Sequence, residues 1–329
     1  MIILGINALH PDSSACILKD GAILNSVEEE RFTRIKHISN IPFKSIDFCL
    51  KNNNLVIADV DYISINSDPY SNFFKKIKYS LFNFNSFFLI KERFSNFTKK
   101  INILEEFHKY YPQKIKAKIF NVDHHISHLS SSFFASNFNE SSLVSIDGFG
   151  DFASTSIGFG SENNIKINKQ VYFPHSLGIF YESMTQYLGF NNFGDEYKVM
   201  GLSSYGEPKY VKDLEDIIAI NHNNLFELNL DYFNHHKKNL LTYVNCSPIV
   251  GNIYTDHLSN KFGPPRKSDE DITKFHFDFA KSVQQTYENI FIHILNNVYK
   301  KDKLPFLSLS GGCINNSVAN GKIFSKTSF

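Results

Sequence analysis

Twice along this 329-residue chain, three short apolar runs divided by tight turns are followed by a helical segment and a further apolar strand. In the first round the runs are 2–7, 15–19 and 22–27. Asp20-Gly21 sits between the second and third, a dipeptide suited to the positive φ angles of a two-residue hairpin. A helix over 42–50 and strands over 60–66 and 118–122 follow. In the second round, strands over 142–147, 153–159 and 165–172 precede a helix over 176–188. A long amphipathic helix over 272–299, a strand over 304–309 and a helix opened by Gly311-Gly312 complete it. Such a repeat is expected to build two similar α/β halves.

The repetition points to two ribonuclease-H-like halves facing one another, as in actin-like (ASKHA) phosphotransferases. The expected division is 1–140 and 141–329. Residues 70–100, rich in Phe, Asn and Lys, read as an insertion into the first half. Residues 221–259, polar and His-rich, read as a looped insertion into the second. With 42% hydrophobic residues the chain has ample material for a core. The net charge of +1 offers no global attraction to nucleic acid or a membrane surface. The apolar runs are too short to cross a bilayer. Cys16, Cys49, Cys246 and Cys313 form no C-x-x-C pair and read as reduced thiols of a cytoplasmic protein.

The densest chemical signal is 123–128, Asp-His-His-Ile-Ser-His. On a helix, His124 and His128 lie four apart on one face and are able to hold one metal ion; surface and capping histidines share this spacing. His10-Pro11-Asp12 joins the first two strands, either as an ordinary turn or as a source of proton-transfer groups in His10 and Asp12. The charge run 28–34 reads as a solvated, ion-paired face. Asp147-Gly148-Phe149-Gly150-Asp151 is a hairpin turn by one reading. By another, its glycines admit phosphate and Asp147 meets a metal or its water. Lys198, in the turn-rich 194–208 segment, is a solvent-facing lysine or a cation for phosphate. Gly311, Gly312 and Asn315, after an apolar strand, form a tight turn or an anion cradle. Cys313 reads as a buried small residue.

In this order the motifs resemble the NodU/CmcH carbamoyltransferase family, over most of the chain. The resemblance is carried by Gly5-Ile6-Asn7 with His10-Pro11-Asp12 and Ser14-Ala15, by Glu28 to Arg34 with Ile35-Lys36-His37, and by His124-His125 with Ser127-His128. Asp147-Gly148, Ser176-Leu177-Gly178 with Tyr181, Glu196 to Leu202, Phe262-Gly263-Pro264 with Arg266, Ser282-Val283-Gln284 and Gly311-Gly312 with Asn315 and Asn320 extend it. The resemblance implies an actin-like domain similar to the tRNA threonylcarbamoyl transferase, with iron on His124 and His128; by donor chemistry two imidazoles and a carboxylate also suit zinc. A carboxylate much later in the chain is implied as third ligand. A YrdC-like domain would make carbamoyl-adenylate from carbamoyl phosphate and ATP. The actin-like domain would pass the carbamoyl group to a hydroxyl of a small-molecule or glycan acceptor. In that scheme Asp12 or His10 takes the acceptor's proton, Lys198 neutralises phosphate, and Asp147, Gly148, Gly150, Gly311, Gly312 and Asn315 hold the nucleotide.

On this reading the second half is incomplete at its C-terminus. The later carboxylate and the YrdC-like domain are expected outside the sequence, in the same or a separate polypeptide. The alternatives are a tRNA threonylcarbamoyl transferase-like protein and a non-catalytic nucleotide-binding remnant.

Overall fold

The computed structural model describes residues 1–82, 103–112, 115–221 and 225–329 of a mixed α/β chain. Two compact units emerge, Met1–His124 with Leu241–Ile249, and His125–Leu240 with Val250–Phe329.

The first unit is built on a five-stranded sheet. Strands β1 (Ile2–Asn7), β2 (Ser14–Lys19) and β3 (Ala22–Glu28) form an antiparallel meander. Asp20 and Gly21 both take positive φ, as the two-residue hairpin demands. β4 (Tyr62–Ile65) lies parallel beside β1, and β5 (Lys118–Asn121) parallel beside β4. Alternation places Leu4, Ile6, Ala15 and Ile17 in the core, where Ile46, Cys49 and Leu50 of the Phe43–Asn52 helix meet them. Within the charge run, Glu29 departs from the expected solvated face. It is buried, and its carboxylate accepts from Ser45 N and Ser45 Oγ at 2.8 and 2.7 Å. An acid there offsets the unpaired amides at the start of that helix.

Of the 70–100 stretch, Phe73–Phe82 is helical; residues 83–102 lie outside those described. A helix that the sequence pattern did not reveal, Ile103–Tyr110, buries Ile103 and Phe107.

The second unit repeats the arrangement. β6 (Glu140–Gly150), β7 (Ala153–Ser161) and β8 (Asn164–Tyr172) form the meander, and β13 (Leu307–Ser310) lies parallel beside β6. The strand order β8-β7-β6-β13 matches β3-β2-β1-β4. The 29-residue helix Lys274–Asp302 buries Phe279, Val283, Tyr287, Ile290, Phe291, Ile294 and Val298, an apolar stripe of helical period. Each such side chain contributes about 1.5–3 kcal/mol of burial.

The expected looped insertion at 221–259 is instead partly regular. β9 (Ile218–Asn221) pairs antiparallel with β10 (Leu225–Leu228), and β11 (Leu241–Val244) pairs with β12 (Ser247–Val250). Leu225, Phe226, Leu228 and Phe233 join the second unit's core. Strands of four residues are too short to show alternation through so polar a composition. Beyond Gly311 the expected helix is a single 3-10 turn, Gly312–Asn315, followed by the short helices Ser317–Asn320 and Ile323–Lys326.

Candidate metal centre

The helix His124–Phe133 begins at its histidines. Three imidazoles in five residues divide between two directions, as a helical period requires. His125 is fully buried, and its Nδ1 lies 2.9 Å from Ser145 Oγ on β6. That contact docks the helix on the sheet. His124 and His128, one turn apart, share another face.

Opposite them β6 is irregular. Its pairing with β7 shifts register between Ile146 and Gly150. A bulge of this kind releases side chains from strict alternation and re-aims them. Asp147 lies in it, with Oδ1 accepting from Gly148 N at 2.8 Å and Oδ2 3.0 Å from His128 Nε2. Among the described residues, His124, His128 and Asp147 form a group of possible metal donors whose ligand atoms all lie within 4.8 Å of one another. A tetrahedral ion about 2.1 Å from each donor sets them about 3.4 Å apart, so side-chain rotations close the ring. Two imidazoles and one carboxylate suit a borderline divalent ion such as iron or zinc.

The other residues singled out from sequence fall into three places. The first is at Asp147. Gly311 has φ +95°, and a Cβ there would meet Ile146 O at 2.3 Å; a Cβ on Gly312 would meet Asp147 Oδ1 at 3.0 Å. The double glycine thus lets its loop lie against the strand end that carries Asp147. Gly148 borders the same point, since a Cβ on Gly178 would stand 2.9 Å from its N and Cα. Gly150 closes the bulge opposite Ala153. Asn315 is exposed on the 3-10 turn.

The second place is the turn after β1. The His10 ring lies 5.3 Å from that of His124. Asp12, at φ 62°, accepts from His37 Nδ1 at 2.8 Å. The third is Lys198, whose Nζ pairs with Asp195 at 2.7 Å and lies 5.5 Å from the Phe190 ring centre. Its charge is matched by the aspartate one turn before it.

Several groups were not legible as site residues. Burial, and then the Glu196 carboxylate, push Glu182 up to about 8. Glu182 is one helical turn beyond Gly178, the residue that abuts Gly148, and that spacing is the signal that marks it. Burial also raises the Cys313 thiol far above its ordinary value, with Asp147, Glu196 and Glu182 adding to it, so Cys313 is no nucleophile. The 3-10 turn is held by the Tyr287 hydroxyl, which donates to Cys313 O at 2.7 Å. Asn316, just beyond, exchanges two hydrogen bonds with Gln284, at 2.9 and 3.0 Å.

The profile of the family described as carbamoyltransferase N-terminus matches residues 2–329. The uncharacterized protein sll1178 of Synechocystis is 35% identical over 338 residues, covering 99% of this chain and 53% of that protein. The nodulation protein NolNO of Sinorhizobium fredii is 29% identical over 335 residues, covering 96% of this chain and 42% of that protein. The uncharacterized protein MJ1051 of Methanocaldococcus jannaschii is 32% identical over 330 residues, covering 99% and 53%. The chain therefore spans about half the length of these curated relatives. The crystal structure of T. kodakarensis HypF is 11% identical, with a TM-score of 0.44, covering 99% of this chain and 44% of that one. No helix among the described residues is long and apolar enough to cross a membrane. With a family profile aligned from residue 2 to residue 329, the chain belongs to the carbamoyltransferase N-terminus family.

Proposed function

We propose that this chain is the actin-like, acceptor-carbamoylating part of an O-carbamoyltransferase, taking the carbamoyl group of carbamoyl-adenylate to a hydroxyl of a sugar or secondary metabolite. The observation that carries this reading is the approach of His124, His128 and Asp147 at the bulged end of β6, beside the Gly311-Gly312 loop. The matching strand orders of the two sheets support the two-halved actin-like description.

In this reading His124, His128 and Asp147 hold iron or zinc, so Asp147 supplies the carboxylate that the resemblance implied farther along. An ion held there would supply Lewis acidity toward the carbamoyl carbonyl, worth several kcal/mol of transition-state stabilisation. Gly148, Gly311, Gly312 and Asn315 line the adenylate. The turn from His10 to Asp12 contributes to the proton-transfer machinery. Carbamoyl phosphate and ATP are the ultimate donors, converted by a YrdC-like activity. The reaction is assayed by supplying carbamoyl-adenylate and a panel of hydroxyl acceptors to the metal-loaded protein. Carbamoylated product that disappears in His124→Ala supports the reading; product formed equally by His124→Ala contradicts it.

A further inference from the structure

His37 and Asp12 come from two separate loops of the first unit, 25 residues apart, and meet at 2.8 Å through His37 Nδ1 and Asp12 Oδ1. Both hold left-handed backbone, at φ 55° and 62°. For residues with a Cβ that conformation carries a cost, and it persists where the surroundings impose it. Here they do. Asn7 Nδ2 donates to the carbonyls of Pro11 and Asp12 at 3.0 and 2.8 Å. Ser13 N donates to Ile38 O at 3.0 Å, tying the two loops together. The His37 amide donates to Glu30 Oε2 at 3.3 Å, and Ser247 Oγ to Lys36 O at 3.2 Å. Asp12 is two residues from His10, whose ring reaches the first residue of the metal-donor helix.

A carboxylate alone is a weak base at neutral pH, whereas an imidazole is matched to it. A carboxylate that accepts from Nδ1–H also fixes the tautomer whose Nε2 accepts a proton. We propose that His37 is the catalytic base of carbamoyl transfer and Asp12 its positioning residue, an assignment that rests on the carbamoyl-transfer reading above. His37 Nε2 takes the hydroxyl proton of the acceptor as the acceptor oxygen bonds to the carbamoyl carbon. The bond from that carbon to the adenylate phosphate oxygen breaks, and its electron pair leaves with AMP. His37 is partly exposed, and returns the proton to solvent.

Two measurements test this. The first needs no substrate: the long-range proton–nitrogen NMR spectrum of the imidazoles, for wild type and Asp12→Asn. The wild type is expected to show His37 as the Nδ1–H tautomer and Asp12→Asn to shift it toward Nε2–H. The same tautomer in both overturns Asp12 as the positioning residue. The second uses carbamoyl-adenylate with either glycerol or hydroxylamine, a nucleophile that needs no base. His37→Gln is expected to lose transfer to glycerol by about 10²- to 10⁴-fold, with hydroxylamine rescuing transfer. Loss with both nucleophiles, or with neither, overturns His37 as the base. Absence of transfer by the wild type to both rejects the carbamoyl-transfer reading and the base assignment with it, while the tautomer spectrum still decides the pair.

Discussion

His128 Nε2 and Asp147 Oδ2 stand 3.0 Å apart, joining a helix to the bulged end of a strand across 19 residues of sequence. A cation taken up by both groups replaces the proton that they share. Metal binding is therefore expected to release protons, because an imidazole nitrogen that takes a metal gives up its proton. Calorimetric titration in two buffers of different ionisation enthalpy checks this. Identical apparent enthalpies in both buffers would contradict it.

The glycine pair separates geometry from stability. Gly311→Ala forces a Cβ to within 2.3 Å of Ile146 O at φ +95°, which no local adjustment absorbs. It is expected to cost about 1–3 kcal/mol of stability. Gly312→Ala crowds only the Asp147 carboxylate, at 3.0 Å. Its expected effect is weaker metal binding with a near-normal thermal midpoint. Equal thermal losses in the two variants would contradict this assignment.

Glu182 makes stability depend on pH. In the folded chain it keeps its proton up to about pH 8, against an ordinary value of 4.5. Between those values the native state binds more protons than the unfolded one, so stability falls as pH rises from about 4.5 to 8. Glu182→Gln removes that penalty. It is expected to raise the thermal midpoint by a few degrees at pH 9 and to leave it nearly unchanged at pH 4.5. A gain of the same size at both pH values counts against a Glu182 that stays protonated in the folded chain.

Gln284 makes four side-chain bonds, accepting from Tyr181 and Asn316 and donating to Asn316 and Glu288, at 2.8 to 3.0 Å. Glu288 pairs in turn with Lys322. Gln284→Leu leaves buried partners without their bonds and is expected to cost about 2–4 kcal/mol, read as a lower urea midpoint at unchanged slope. A loss below about 0.5 kcal/mol would show that the network relaxes without it.

Much of this is legible in the sequence, for identifiable reasons. The two meanders announce themselves through alternation and through Asp20-Gly21, and the Lys274–Asp302 helix through its long apolar period. The Ile103–Tyr110 helix did not, because eight residues bury only two side chains. From sequence Asp147 reads as a residue for a metal, its water or the nucleotide. Nothing in linear spacing shows that a register shift after Ile146 turns it toward His128. His37 sat just past a charge run that read as solvated, and only folding brings it to Asp12. Lys198 pairs with Asp195, three residues earlier, a spacing that the sequence itself displays.

The proposed chemistry requires that His124, His128 and Asp147 share one ion. Elemental analysis of the purified chain, wild type beside His128→Ala, tests it most directly. Iron or zinc near one equivalent is expected in the wild type, with at least a tenfold lower content in the variant. Equal metal in both proteins would contradict it.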